Sequence, residues 1–140
     1  MNYFDDLQKK EKLHFAAENG DLTEIEKLIE AGFLINQFDE AGETPLTRAA
    51  KENRIDAVKL LIKLGADVNL RDEEKIGETP IRAVAENCSF EMAEVLIKAG
   101  ANPKIPGWMM LTALDKAQNR KKPEGIAVYQ LLISAAKKFP

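Results

Sequence analysis

The chain repeats itself. Gly42-Glu43-Thr44-Pro45-Leu46 returns as Gly77-Glu78-Thr79-Pro80-Ile81. From each Thr-Pro a Gly-Ala pair follows at one fixed distance: Thr44 to Gly65 is 21 residues, and so is Thr79 to Gly100. The apolar positions between them coincide, Ile55, Val58, Leu61 and Ile62 matching Phe90, Ala93, Leu96 and Ile97. Leu13, Ala16, Ala17, Gly20, Leu22, Ile25, Leu28, Ile29 and Gly32 form another copy 33 residues before the second. Thr112-Ala113-Leu114 opens a fourth, with Leu114 33 residues after Ile81. The second-to-third offset is 35, because two extra residues sit within Arg71-Asp72-Glu73-Glu74-Lys75-Ile76. Self-similarity at such a period marks an array of small stacked units. The expected units are about 5–36, 37–69, 70–104 and 105–140, one domain over 1–140 with little left for another.

Each unit reads as two helices. Thr44 and Thr79 suit a helix N-cap, and the following Pro suits the first helical position, where no N–H is needed. A short first helix then carries Leu46, Ala49 and Ala50, or Ile81, Val84 and Ala85, and the small Ala side chains let neighbours approach closely. A break is expected at Gly20, Asn53 or Cys88. The second helix carries one apolar stripe and stops at Gly32, Gly65 or Gly100, each placed for a left-handed C-cap. No unit can bury its stripe alone, so neighbours must stack and the ends must differ. The first end does: Lys27 stands where the second and third units have Leu60 and Val95. In the last unit Pro123 and Gly125 are expected to interrupt the chain before a final helix of roughly 126–138, with Val128, Leu131 and Leu132 inward.

This pattern resembles the ankyrin repeat, whose 33-residue unit opens its first helix with Thr-Pro-Leu-His-x-Ala. The closest stretches are Thr44-Pro45-Leu46-Thr47-Arg48-Ala49-Ala50 and Leu64-Gly65-Ala66-Asp67-Val68-Asn69, and the resemblance covers about residues 10–135. It departs at the His position, which holds His14, Thr47, Arg82 and Asp115, and at Met110, where a turn glycine is usual. The resemblance implies an all-α solenoid of about four helix-turn-helix repeats joined by β-turn fingers. It also implies that His14 braces a turn by hydrogen bonding, and that fingers and first helices form a concave face for partner proteins.

Little in the chain suggests catalysis. His14 is the only histidine and Cys88 the only cysteine, too few for a typical zinc site. They lie two units apart, roughly 20 Å at 8–10 Å per helix layer, which excludes a Cys–His nucleophile pair. Cys88 reads as a small turn residue. Glu73 and Glu74 adjoin in an exposed loop, where nothing would raise a carboxyl pKa. Phosphate loops and Gly-x-Ser-x-Gly are absent. The expectation is no enzyme, no cofactor and no metal.

The formal charge of −3 argues against nucleic acid, and Arg120-Lys121-Lys122, lacking interleaved aromatics, reads as a solvated turn. Charge is uneven, with a balance of −8 over residues 1–100 and +5 over residues 101–140. A single cysteine fits a reducing compartment. The acidic start, Met1-Asn2-Tyr3-Phe4-Asp5-Asp6, lacks a signal peptide's basic and apolar regions, and no window suits a membrane span. A cytoplasmic protein, monomeric when free, is expected.

Carried over position by position, the resemblance implies a binding surface of Glu18 and Asn19 from the first unit. Phe38, Glu40, Glu43, Lys51 and Glu52 come from the second, and Arg71, Glu73, Glu74, Lys75, Glu78, Glu86 and Asn87 from the third. Trp108, Met109, Asn119 and Arg120 come from the fourth. The acidic second and third fingers would steer a basic partner surface. Trp108-Met109-Met110 supplies an apolar cluster in which Trp108 is either an interface anchor or a cover folded over the last unit. The residues leave both open. An array filling the chain suggests a dedicated inhibitor or immunity-type protein that occludes one partner, a toxin or enzyme; a general adaptor is the alternative. Pro106–Leu114 carries a second, shorter resemblance to small stand-alone bacterial ankyrin proteins, some of them immunity partners of secreted toxins.

Overall fold

The computed structural model describes residues 9–75 and 77–140. The expected start of the first unit at residue 5, and Ile76 of the insertion, lie outside the described residues. Eight α-helices lie within them: α1 (Lys12–Asn19), α2 (Leu22–Glu30), α3 (Pro45–Lys51), α4 (Ile55–Lys63), α5 (Pro80–Val84), α6 (Phe90–Lys98), α7 (Ala113–Ala117) and α8 (Pro123–Ala136). A 3-10 turn spans Trp108–Met110, and no strand occurs among the described residues. The helices pack as pairs, α1 with α2 through α7 with α8. The first helices form one row, α1 on α3 on α5 on α7, and the second helices another, α2 on α4 on α6 on α8. The result is an all-helical solenoid.

The repeated residues are the ones buried. Ala17, Ala49, Ala85 and Ala117 are shut away in the row of first helices, where a larger side chain would hold neighbours apart. Ile25, Val58, Leu61, Ala93 and Leu96 fill the space between the rows. Lys27 is exposed while Leu60 and Val95 are partly covered. Helices of five to nine residues are too short to persist alone in water, so this shared burial is what keeps them folded.

The helix ends follow the sequence closely. After α4, Gly65 takes φ 106. Its N–H donates to the Ile62 carbonyl at 3.1 Å and that of Ala66 to the Leu61 carbonyl at 2.9 Å, which satisfies two orphan acceptors. Gly32 and Gly100 do the same after α2 and α6. Thr44 caps α3 by accepting from the Thr47 N–H at 3.2 Å, and Thr112 forms a reciprocal capping box with Asp115. Thr79 departs from expectation: its backbone is extended and Pro80 follows, but its buried hydroxyl meets no hydrogen-bond partner in the protein.

The last unit corrects a second expectation. Pro123 does not interrupt α8 but begins it, because the first turn needs no N–H from that residue. Gly125 sits inside the first turn with Arg120 packed where a Cβ would be. Val128 and Leu132 point inward and Leu131 is partly covered, while Ile126 and Ile133 face out.

A ladder missed in the sequence ties the units together. The Asn36 side chain accepts from the Asp67 N–H at 2.9 Å, and that of Asn69 accepts from the Asn102 N–H at 2.7 Å. Asn69 also donates to the Gly100 carbonyl at 3.0 Å. Asn36, Asn69 and Asn102 recur every 33 residues, so the signal was present.

Leu61 is 0% exposed at the centre of the stack. Leu61→Ala is expected to lower unfolding free energy by about 2–5 kcal/mol through the cavity it leaves, measured by urea denaturation.

Candidate protein-binding surface

The second and fourth fingers are each held from the first helix of the preceding unit. On α1, His14 Nε2 lies 2.8 Å from the Gln37 carbonyl and 3.1 Å from the Glu43 carbonyl. Both partners only accept, so Nε2 carries the proton, and the buried Nδ1 has no protein partner. The expected brace is therefore present. On α5 the equivalent residue is Arg82, and it does the same work on the fourth finger. Its Nε donates to the Leu111 carbonyl at 2.6 Å and its Nη2 to the Trp108 carbonyl at 3.2 Å. Glu78 pairs with the same guanidinium.

The fingers differ in what fills their turns. In the second, the Asp39 carboxylate accepts from the Ala41 N–H at 2.9 Å and the Glu43 N–H at 2.8 Å, locking the loop. In the fourth that position is Gly107, where a Cβ would collide with the Arg82 guanidinium. The third finger leans on the second. Lys75 Nζ donates to the Glu40 carbonyl at 2.8 Å, and Gly77 packs against the Gly42 carbonyl too closely for any side chain.

Between the first two units lies an acidic depression. Arg48, on α3, sits at its floor with Glu11 at 3.1 Å, Glu18 at 3.0 Å and Asp39 at 3.4 Å. Its guanidinium also stacks over the Phe15 ring, 4.8 Å from the centroid. Glu40, Glu43, Lys51 and Glu52 form the rim, where Lys51 pairs with Glu43 at 2.8 Å. Between the last two units lies a second depression, lined by Arg82, Glu86, Leu111, Asp115, Lys116, Asn119 and Arg120. Arg48 and Lys116 occupy the same helical register, two units apart, a spacing visible in the sequence but not singled out there.

The fourth finger exposes its apolar side chains. Trp108 is 60% exposed, Met109 69%, Met110 75% and Leu111 42%. Trp108 therefore does not fold over the last unit. Met109 and Met110 hold φ values of 59 and 61, a left-handed backbone that side chains rarely adopt. Met110, standing where a turn glycine is usual, accepts that conformation.

The remaining candidates divide. Asn19, Glu40, Lys51, Glu52, Glu73, Glu74, Lys75, Glu86, Asn87 and Asn119 are exposed. Glu18, Glu43 and Glu78 are half-buried in ion pairs with Arg48, Lys51 and Arg82. Phe38 is partly covered in a separate groove with Phe33, Leu34 and His14. Arg71 is half-buried near Arg82. Arg120 turns inward, its guanidinium 3.4 Å from the Ala85 carbonyl and 3.9 Å from Cys88 Sγ. It braces the third unit against the fourth. Lys75, likewise, spends its amine on the second finger.

Burial pushes the Cys88 thiol up, only partly opposed by Arg120, so it is held as the thiol in its turn. No group of three or more His, Cys, Asp or Glu among the described residues is placed to hold a metal ion. No helix among them is long and apolar enough to cross a membrane.

Stacked helix pairs with braced, projecting turns define a helical-repeat binding module. The chain belongs to the ankyrin-repeat family: the family model described as Ankyrin repeats (3 copies) matches residues 2–72. Ankyrin repeats are protein–protein interaction modules, and the family is generally non-enzymatic. The chain is 36% identical over 68 residues to inversin of Danio rerio, covering 49% of this chain and 7% of that protein. It is 39% identical over 62 residues to transient receptor potential cation channel subfamily A member 1 of Homo sapiens, covering 43% and 6%. It is 46% identical over 48 residues to glycerophosphocholine phosphodiesterase gde1 of Schizosaccharomyces pombe, covering 34% and 4%. This chain thus spans under a tenth of each of these relatives, and the match to the phosphodiesterase is confined to a stretch of repeats.

Burial holds the His14 imidazole below its usual range, outweighing the favourable Asp39 charge and the two carbonyls. The unfolded chain takes up this proton near pH 6.5, while the folded one resists until lower pH. Stability is therefore expected to be full above about pH 6.5 and to fall below it. Melting temperatures at pH 7 and 5.5 check this, the slope being smaller in His14→Gln. Met110→Gly is expected to keep the fold and raise stability by up to about 1 kcal/mol, by relieving the left-handed strain; calorimetry gives the value.

Proposed function

We propose that this chain is a non-enzymatic binding protein that engages one partner protein through its concave face and finger loops. Engagement covers the partner's working surface, making the chain a dedicated inhibitor or immunity-type protein. The observation that carries the binding reading is the Trp108–Leu111 finger, an apolar tip exposed to water and pinned from beneath by Arg82. Exposed apolar groups in a rigid setting favour an interface, since little order is lost on docking. The inhibitor reading rests on rigidity: braced fingers and stacked units form a preformed surface suited to blocking one target. The acidic depression around Arg48 favours a partner with a basic patch on that side.

In this reading the four units, taken as 5–36, 37–69, 70–104 and 105–140, act as one array, monomeric when free and cytoplasmic. An array of this length, roughly 40 Å, presents about 800 Å² to a partner, the standard interface size. A general adaptor is the second reading, favoured by the relatives, in which the matched repeats are a small part of much longer proteins. Co-purification from the native host separates the two. One stoichiometric, tightly held and catalytically silenced partner supports the inhibitor; several weakly held, active partners support the adaptor.

Trp108→Ala is expected to weaken partner binding by at least about 1 kcal/mol, roughly fivefold, with the melting temperature unchanged. Isothermal titration against the co-purified partner checks it. Unaltered affinity with a lowered melting temperature would sink the assignment of Trp108 as an anchor.

A further inference from the structure

The two depressions of the concave face carry opposite chemistry. Around Arg48, Glu11, Glu18, Asp39, Glu40, Glu43 and Glu52 outnumber Arg48 and Lys51. Around Lys116 the balance turns over. Arg82 and Lys116 draw on the same carboxylate, Glu78, the latter at 3.5 Å. Asp115 is committed to its capping box, accepting from the Thr112 N–H at 2.7 Å and the Thr112 hydroxyl at 3.0 Å. Arg71 adds positive charge at Arg82, and Arg120 lines the same hollow. Glu86 is the remaining carboxylate of the lining. The Lys116 ammonium is held below its usual range by burial and then by Arg82, despite help from Glu86. Cations in this hollow are thus under-compensated. Leu111, at its edge, joins it to the exposed Trp108, Met109 and Met110.

We infer that the hollow between α5 and α7 receives an acidic, apolar segment of a partner protein, one carboxylate meeting Lys116 and neighbouring leucine- or phenylalanine-type side chains covering the Trp108–Leu111 finger. This rests on the binding reading above and adds a polarity to it: the partner presents acidic and apolar groups to the fourth unit and basic groups to the first two. The charge pattern then fixes which way round the partner lies along the array. The hollow, about 480 Å³, is concave and interspersed with carboxylates. A flat anionic surface such as a membrane would not reach the cations at its floor, whereas a protruding side chain would.

Trp108 is the only tryptophan, so its fluorescence reports on this finger alone. The experiment titrates the full chain with a short end-blocked peptide alternating glutamate and leucine, and with its lysine–leucine counterpart. A saturable blue shift of Trp108 emission is expected with the glutamate peptide, weakened at least about tenfold by Lys116→Glu and reduced by added salt. Lys116→Gln, which removes the positive charge without adding a negative one, is expected to weaken it less and serves if Lys116→Glu unfolds. The absence of a saturable shift overturns the inference. So does equal affinity in the Lys116 variants, an equal shift with the lysine peptide, or a shift produced only by phosphatidylserine vesicles. If the glutamate peptide fails while the chain still holds one co-purified partner, the polarity is wrong and the binding reading stands. If the peptide seats but no partner is held, the hollow's preference for acidic, apolar groups stands, while the binding reading falls and the assignment of the hollow to a partner's segment falls with it.

Discussion

Every element of this molecule depends on apolar stripes that no single unit can hide. Helices as short as α5 and α7 have five residues each, fewer than two turns, and would fray at once in isolation. They persist because Ile81, Ala85 and Ala117 are shut between neighbours. Stability is therefore shared along the array. Bonds reaching from one unit to the next, His14 to the second finger, Arg82 to the fourth and the Asn36–Asn69–Asn102 ladder, set the register in which that burial occurs.

The same task is solved differently at the two ends. The second finger is tied by a buried imidazole and an Asp39 carboxylate that bonds its own loop. In the fourth, Gly107 leaves room for a guanidinium, and Arg82 replaces both ties with donors to two carbonyls. A planar fork with several fixed donors can pin a loop through its backbone alone. The finger's side chains are then free to differ, and here they are apolar and face water. The left-handed Met109 and Met110 belong with this: local strain is tolerated where the surroundings over-determine the backbone.

Charge is arranged with comparable economy. Arg48 is nearly enclosed by Glu11, Glu18 and Asp39 and joins the first unit to the second. Such a paired group is costly to break, because its removal strands three carboxylates together. Lys116, in the same register two units on, has a less complete set of partners. In the proposed arrangement the face attracts opposite charges at its two ends, and attraction of this kind selects orientation more than it adds affinity.

The repeat period, the helix pairs and most of their ends were legible in the sequence, because each follows from local chemistry: Thr44 with Pro45, Gly65 after a stripe, and Lys27 at an uncovered end. The brace at His14 followed from the family resemblance, and Trp108 was legible as a candidate but not in its orientation. The ladder and the shared register of Arg48 and Lys116 were present as spacings but carried no meaning until the units were stacked. What only the tertiary structure decided lies between units. It turned Arg120 inward, tied the Lys75 amine to the second finger, started α8 at Pro123, left Thr79 without its cap and stood Trp108 in water. Spacing along the chain determines which residues recur on one face, since backbone geometry repeats with the unit; which side chain then meets a neighbour depends on packing across the gap, where the identity of a residue 29 or 35 positions away, as in Arg82–Leu111 or Lys75–Glu40, settles the outcome.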